Sequence, residues 1–98
     1  MLHLVNKSPF ERGAFESALN MARKGSAILL IEDGVYAALK NTPFEDKVSA
    51  AAKDIRICVL GPDLEARGVD QVIEGVEVVD YGGFVDLTVD HTPVQSWL

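Results

Sequence analysis

Ile55-Arg56-Ile57-Cys58-Val59-Leu60-Gly61-Pro62-Asp63 is the stretch that decides how this chain folds. Apolar residues fill almost every position, the run is too short for a typical helix, and Gly61-Pro62 closes it. That pattern predicts a central strand covered on both faces. Upstream, Ala27–Ile31 repeats it between Ser26 and Glu32, and Leu2–Val5 gives a shorter version. Downstream, Val76–Val79 reads as a fourth strand, and Val94–Leu98 as a closing strand or an ordered tail.

Helices are expected in the intervals. Ser8 reads as an N-cap, with Pro9 where a missing N–H costs nothing and Glu11 reaching back in a capping box. Positions 10, 14, 18 and 22, flanked by 15 and 19, form one apolar face, with Gly13 as the weak point inside the helix and Gly25 as its left-handed stop. Asp33-Gly34 turns the chain, its glycine supplying φ freedom, and Val35–Leu39 and Phe44–Lys53 read as further helices. Asp63–Arg67 makes one or two turns capped by Asp63. Asp80 caps a last helix with Phe84, Leu87 and Thr88 inside, His91 in the final turn and Pro93 beyond. Strands alternating with helices imply crossovers and a parallel sheet. The expected fold is one α/β domain over residues 1–98, a three-layer sandwich with a mostly parallel sheet of four or five strands.

At 98 residues and 48% hydrophobic content the chain can hold one core. A chain this short buries only about 60–65% of its unfolded surface, so an apolar subunit contact is a natural supplement. No run approaches the ~18 apolar residues of a membrane span, and no basic-then-apolar leader opens the sequence, so cytoplasmic residence is expected. One cysteine excludes an internal disulfide. The net charge of −6 arises after Arg67, where Asp70, Glu74, Glu77, Asp80, Asp86 and Asp90 have no Lys or Arg among them. Such a surface repels polyanions, so direct nucleic-acid binding is not expected.

Ligands of parallel sheets bind beyond the strands' carboxyl ends, here Asn6-Lys7, Glu32-Asp33, Gly61-Pro62-Asp63 and Asp80-Tyr81. Neither glycine-rich nucleotide fingerprint occurs, so no nucleotide cofactor is expected. A phospho-receiver built on Glu32 and Asp33 lacks an acceptor Asp at Leu60-Gly61 and any Lys after Lys53. His3, His91 and Cys58 lack the close spacing of a metal site. Cys58 is the one candidate for covalent chemistry. Persulfide transfer needs an accessible thiolate with a lowered pKa, whereas Ile57 and Val59 predict burial, which raises a thiol's pKa. Arg56, on the same strand face, is the only neighbour favouring the thiolate.

Several phrases carry a family likeness: Asn6-Lys7-Ser8-Pro9-Phe10-Glu11-Arg12, Glu32-Asp33-Gly34-Val35-Tyr36-Ala37-Ala38-Leu39, Leu60-Gly61-Pro62-Asp63-Leu64 with Ala66-Arg67-Gly68, and Asp80-Tyr81-Gly82-Gly83-Phe84-Val85-Asp86-Leu87-Thr88. Together with Val94-Gln95-Ser96-Trp97-Leu98, they resemble the DsrH/TusB family, the smallest subunit of the DsrEFH and TusBCD sulfur-relay complexes. The wording at 6–12 and 79–88 looks closer to DsrH.

The resemblance implies a cytoplasmic subunit joined to DsrE/TusD-like and DsrF/TusC-like partners in a heterohexamer with two of each. The DsrE/TusD-like subunit would bear the main sulfur-accepting cysteine and exchange sulfur with TusA-like and DsrC/TusE-like carriers. Some relatives carry a cysteine in the first helix, where this chain has Ala18, and Cys58 inherits no family role. The expected function is a non-catalytic subunit of a sulfurtransferase complex serving sulfur oxidation. The alternatives are the same role in tRNA 2-thiouridine synthesis, or a stand-alone persulfide carrier using Cys58. Trp97, Phe84, Tyr81 and Tyr36 are the expected partner contacts, because aromatics are enriched at interfaces.

Overall fold

Five strands form one sheet in which every neighbouring pair is parallel: β1 (Leu2–Val5), β2 (Ala27–Leu30), β3 (Arg56–Leu60), β4 (Glu77–Val79) and β5 (Val94–Trp97). Their order across the sheet is β4-β3-β2-β1-β5. The structure is a computed structural model and describes residues 1–11 and 13–97; Arg12 in the first family phrase and Leu98 of the closing strand lie outside them. Five helical segments connect the strands: α1 (Ala14–Met21), a 3₁₀ helix (Glu32–Ala38), α2 (Glu45–Ala51), α3 (Gly61–Ala66) and α4 (Tyr81–Asp90). No helix among the described residues is long and apolar enough to cross a membrane.

The order of strands explains where the helices lie. From β1 to β4 the chain steps the same way across the sheet, and right-handed crossovers put all the intervening helices on one face. The step from β4 to β5 returns across the whole sheet, so its helix falls on the other face. Two apolar clusters match this division. One joins Val5, Ile28, Leu30, Ile57 and Val59 to residues of α1, the 3₁₀ helix, α2 and α3. The other joins Leu2, Ala27, Leu29 and Cys58 to Leu87 of α4. Period-two alternation along each strand sends successive residues to opposite clusters.

Several local expectations need correction. α1 begins at Ala14 with Gly13 at its N-cap, not at Ser8. Ser8 is instead committed to a turn, its hydroxyl accepting from Phe10 N at 3.2 Å and its carbonyl from Glu11 N at 3.1 Å. A serine that bonds its own near backbone competes with helix formation. Phe10 therefore leaves the buried face, is 55% exposed, and meets Phe44 edge-on. Gly34 does not have positive φ; Glu32 does, at φ 50. What Gly34 supplies is space, since a Cβ there would run into the Val5 carbonyl oxygen.

Asp63 does not cap α3, whose N-cap is Leu60. Its carboxylate instead accepts from Glu32 N at 2.7 Å, satisfying the first N–H of the 3₁₀ helix. Asp80 does cap α4, accepting from Gly83 N at 2.8 Å. His91 stands just past that helix as its C-cap residue.

Candidate functional site

The thiol sits on the sheet face covered by α4. Cys58 occupies the middle of β3, is 0% exposed, and belongs to the cluster with Leu2, Ala27, Leu29 and Leu87. Its strand-face neighbour Arg56 forms two parallel 2.9 Å bonds to the Glu77 carboxylate of β4. The register that pairs Cys58 with Glu77 also brings the thiol beneath that carboxylate, and Cys58 Sγ donates to Glu77 Oε2 at 3.8 Å.

The electrostatics follow from this order of contacts. Burial, then the negative charge of Glu77, push the thiol up to about 11; Arg56 opposes them more weakly. The guanidinium is engaged by Glu77, which it holds below the usual carboxylate range. Arg56 on the thiol's strand face thus serves the carboxylate first. Strand alternation is legible in sequence, but the cross-strand Glu77 that captures the arginine depends on the register of β4.

The carboxyl edge of the sheet holds a second polar group. Asp33 receives a bond from Arg67 Nε at 2.8 Å, and Asp63 holds the backbone of Glu32. This network clamps the 3₁₀ helix to α3. Among the described residues no group of three or more His, Cys, Asp or Glu could hold a metal ion. His3 is 2% exposed, and its Nδ1 accepts from Trp97 Nε1 at 3.0 Å. His91 and Cys58 are not brought together with it.

The four aromatic residues proposed as contacts are dispersed. Trp97 lies on edge strand β5, packs against the helix-rich cluster and stacks on His3 with ring centroids 6.1 Å apart. Tyr36 packs half-buried against the same cluster from the 3₁₀ helix. Phe84 packs half-buried on the opposite cluster, from the inner side of α4. Only Tyr81 projects outward, at 62% exposure. Val85 and Val89 of the same helix are exposed as well, at 59% and 70%. The spacing Tyr81, Val85, Val89 is a helical i, i+4, i+8 row that the sequence already contains.

This architecture is shared beyond the chain. The ychN protein of E. coli superposes with a TM-score of 0.79 over 97% of both chains at 16% identity, a likeness of fold. Protein TusB of Pectobacterium parmentieri is 37% identical over 98 residues, covering 99% of this chain and all of that protein. Protein TusB of Buchnera aphidicola subsp. Baizongia pistaciae is 38% identical over the same length and coverage. A family model described as "DsrH like protein" matches residues 7–94. Matched across nearly its whole length by that model and by both relatives, the chain belongs to the DsrH/TusB family.

Proposed function

We propose that this chain is a non-catalytic subunit of a cytoplasmic sulfur-relay complex. Its partners are TusC/DsrF-like and TusD/DsrE-like subunits in a heterohexamer containing two of each, and the transfer chemistry resides on the TusD/DsrE-like member. Sulfur reaches and leaves that member through TusA-like and DsrC/TusE-like carriers.

The observation that supports this reading is the state of Cys58. Persulfide relay requires a thiolate to attack the outer sulfur of a donor persulfide, so the acceptor must be both ionised and reachable. A thiol at about 11 is ionised in about one molecule in ten thousand at pH 7. At 0% exposure it also offers no approach to a second protein's sulfur. Charge supports the division of labour as well: the acidic last third suits a subunit that does not itself hold RNA.

The TusB name of the full-length relatives favours a relay ending in tRNA 2-thiouridine. The wording at residues 6–12 and 79–88 favours the sulfur-oxidation branch instead. Mass measurement after exposure to a persulfide donor tests the subunit role. In the coexpressed complex the TusD-type subunit should gain a sulfur atom and this chain none. A sulfur adduct on this chain that Cys58→Ser removes would restore the stand-alone carrier. Deleting the gene should lower 2-thiouridine in tRNA; unchanged 2-thiouridine with impaired sulfur oxidation would select the other branch.

A further inference from the structure

The sheet is covered unequally. Five strands about 4.8 Å apart span roughly 19 Å, and one helix with its side chains covers about 10 Å of that width. Four helical segments cover one face and α4 alone covers the other. Parallel sheets are ordinarily buried on both sides.

The outward side of α4 carries two adjacent rows. Tyr81, Val85 and Val89 form the apolar one, exposed at 62%, 59% and 70%. Beside it, at the same i, i+4 spacing, run Asp86 and Asp90, both exposed. The inner side of the helix is already occupied by Leu87 at 1% exposure and by Phe84. No rotation of α4 could bury the apolar row without expelling Leu87.

We propose that this two-row surface docks a partner subunit presenting an apolar strip flanked by Lys or Arg. The inference rests on the relay-subunit reading and adds the surface and the chemistry of its occupant. Apolar contact would supply the affinity, and the aspartates would set register and exclude wrong partners. Charge decides against a second copy of this chain. In a two-fold antiparallel pairing of α4 helices, both acidic rows fall on the same side of the seam. Each copy also carries −6, with no Lys or Arg after Arg67 to answer those aspartates.

The test uses the chain coexpressed with the TusC- and TusD-type proteins of its own genome, followed by native mass spectrometry through a dilution series. Val85→Asp with Val89→Asp should weaken assembly about 10-fold or more. Val85→Ser with Val89→Ser provides the same test should the charged pair disturb the helix. Asp86→Lys with Asp90→Lys should weaken assembly and flatten its salt dependence. Phe10→Asp, on the helix-rich face, should leave it unchanged. Assembly of either valine double variant at wild-type dilution would overturn the surface while leaving the subunit reading intact. A wild-type homodimer broken by the valine variants would give the surface to a second copy and overturn the proposal. Failure of the wild-type chain to assemble at all would overturn the subunit reading, a distinct outcome.

Discussion

The two faces of the sheet are made of the same strands yet do different work. On the helix-rich face, Ile28, Leu30, Ile57 and Val59 meet α1, the 3₁₀ helix, α2 and α3 and are sealed. On the α4 face, Ala27, Leu29 and Cys58 are sealed too, but by one helix alone. At the sheet edges each face leaves a valine open, Val94 at 44% here and Val78, paired with Val59, at 54% opposite. The difference arises from chain path, not composition. One long return from β4 to β5 leaves a single helix to cover what three crossovers cover opposite. The helix-rich face thus holds the larger apolar cluster, and the α4 face is covered by one helix alone.

The largest test of that contrast compares two phenylalanines. Phe15 of α1 is 0% exposed within the helix-rich cluster, so Phe15→Ala should cost about 3–5 kcal/mol by lost transfer energy and cavity formation. Phe84 is only half-buried against the other cluster, and Phe84→Ala should cost less than half as much. Urea denaturation of both variants checks this. Equal costs would mean that the two faces share the load.

Much of the architecture was legible because the strands are short unbroken apolar runs. Ala27–Leu30 and Arg56–Leu60 could be neither amphipathic helices nor exposed loops. Asp80 was legible as a cap for a similar reason: it precedes a helical pattern with nothing else to bind. Ser8 looked equally good but formed a local turn, and sequence alone could not tell which backbone N–H its hydroxyl would take. Asp63 shows the same limit at long range. Its partner, Glu32 N, lies 31 residues away and becomes a neighbour only once β2 and β3 are paired. At the candidate site, residue type was a poor guide to position. Aromatic identity selected Trp97 and Tyr36, which pack inward, and passed over Val85 and Val89, which do not.

A smaller effect is expected where α4 is anchored. Asp80 supplies that helix's one side-chain cap, so Asp80→Ala should cost about 1 kcal/mol. The loss should be largest in α4, because Gly83 packs so closely that a Cβ there would lie 2.8 Å from Val79 Cβ. Amide hydrogen exchange would show faster exchange in α4 and unchanged protection in α1. Uniform acceleration would mean that the faces unfold as one unit.

The helix-rich face carries its own pH signature. Burial, and secondarily the charged N-terminus, hold His3 below its ordinary 6.5. The unfolded chain therefore binds more protons than the folded one in the window below 6.5. Stability should be full above that value and fall as the pH drops through it, as the Nδ1 that accepts from Trp97 becomes protonated. Urea midpoints at about pH 7.5 and 5.5 should differ in the wild type and converge in His3→Gln. An unchanged slope in that variant would assign the effect to other groups.

The finest distinction concerns the thiol on the α4 face. Three influences act on Cys58, in the order burial, Glu77 and Arg56. The first two oppose ionisation, and the arginine favours it. Glu77→Gln removes the carboxylate's charge and frees the guanidinium from its paired bonds. The thiol's midpoint should then move down from about 11, readable without interference in the Cβ carbon shift of the chain's one cysteine. Stability should change little, since a half-exposed ion pair is worth about 0–1 kcal/mol. Access should not change at all, because the aliphatic wall remains. Alkylation should therefore stay slow in the folded variant although its thiol is more acidic. Rapid alkylation would mean that charge, not burial, keeps this cysteine silent, and that one substitution on β4 separates a structural subunit from a sulfur carrier.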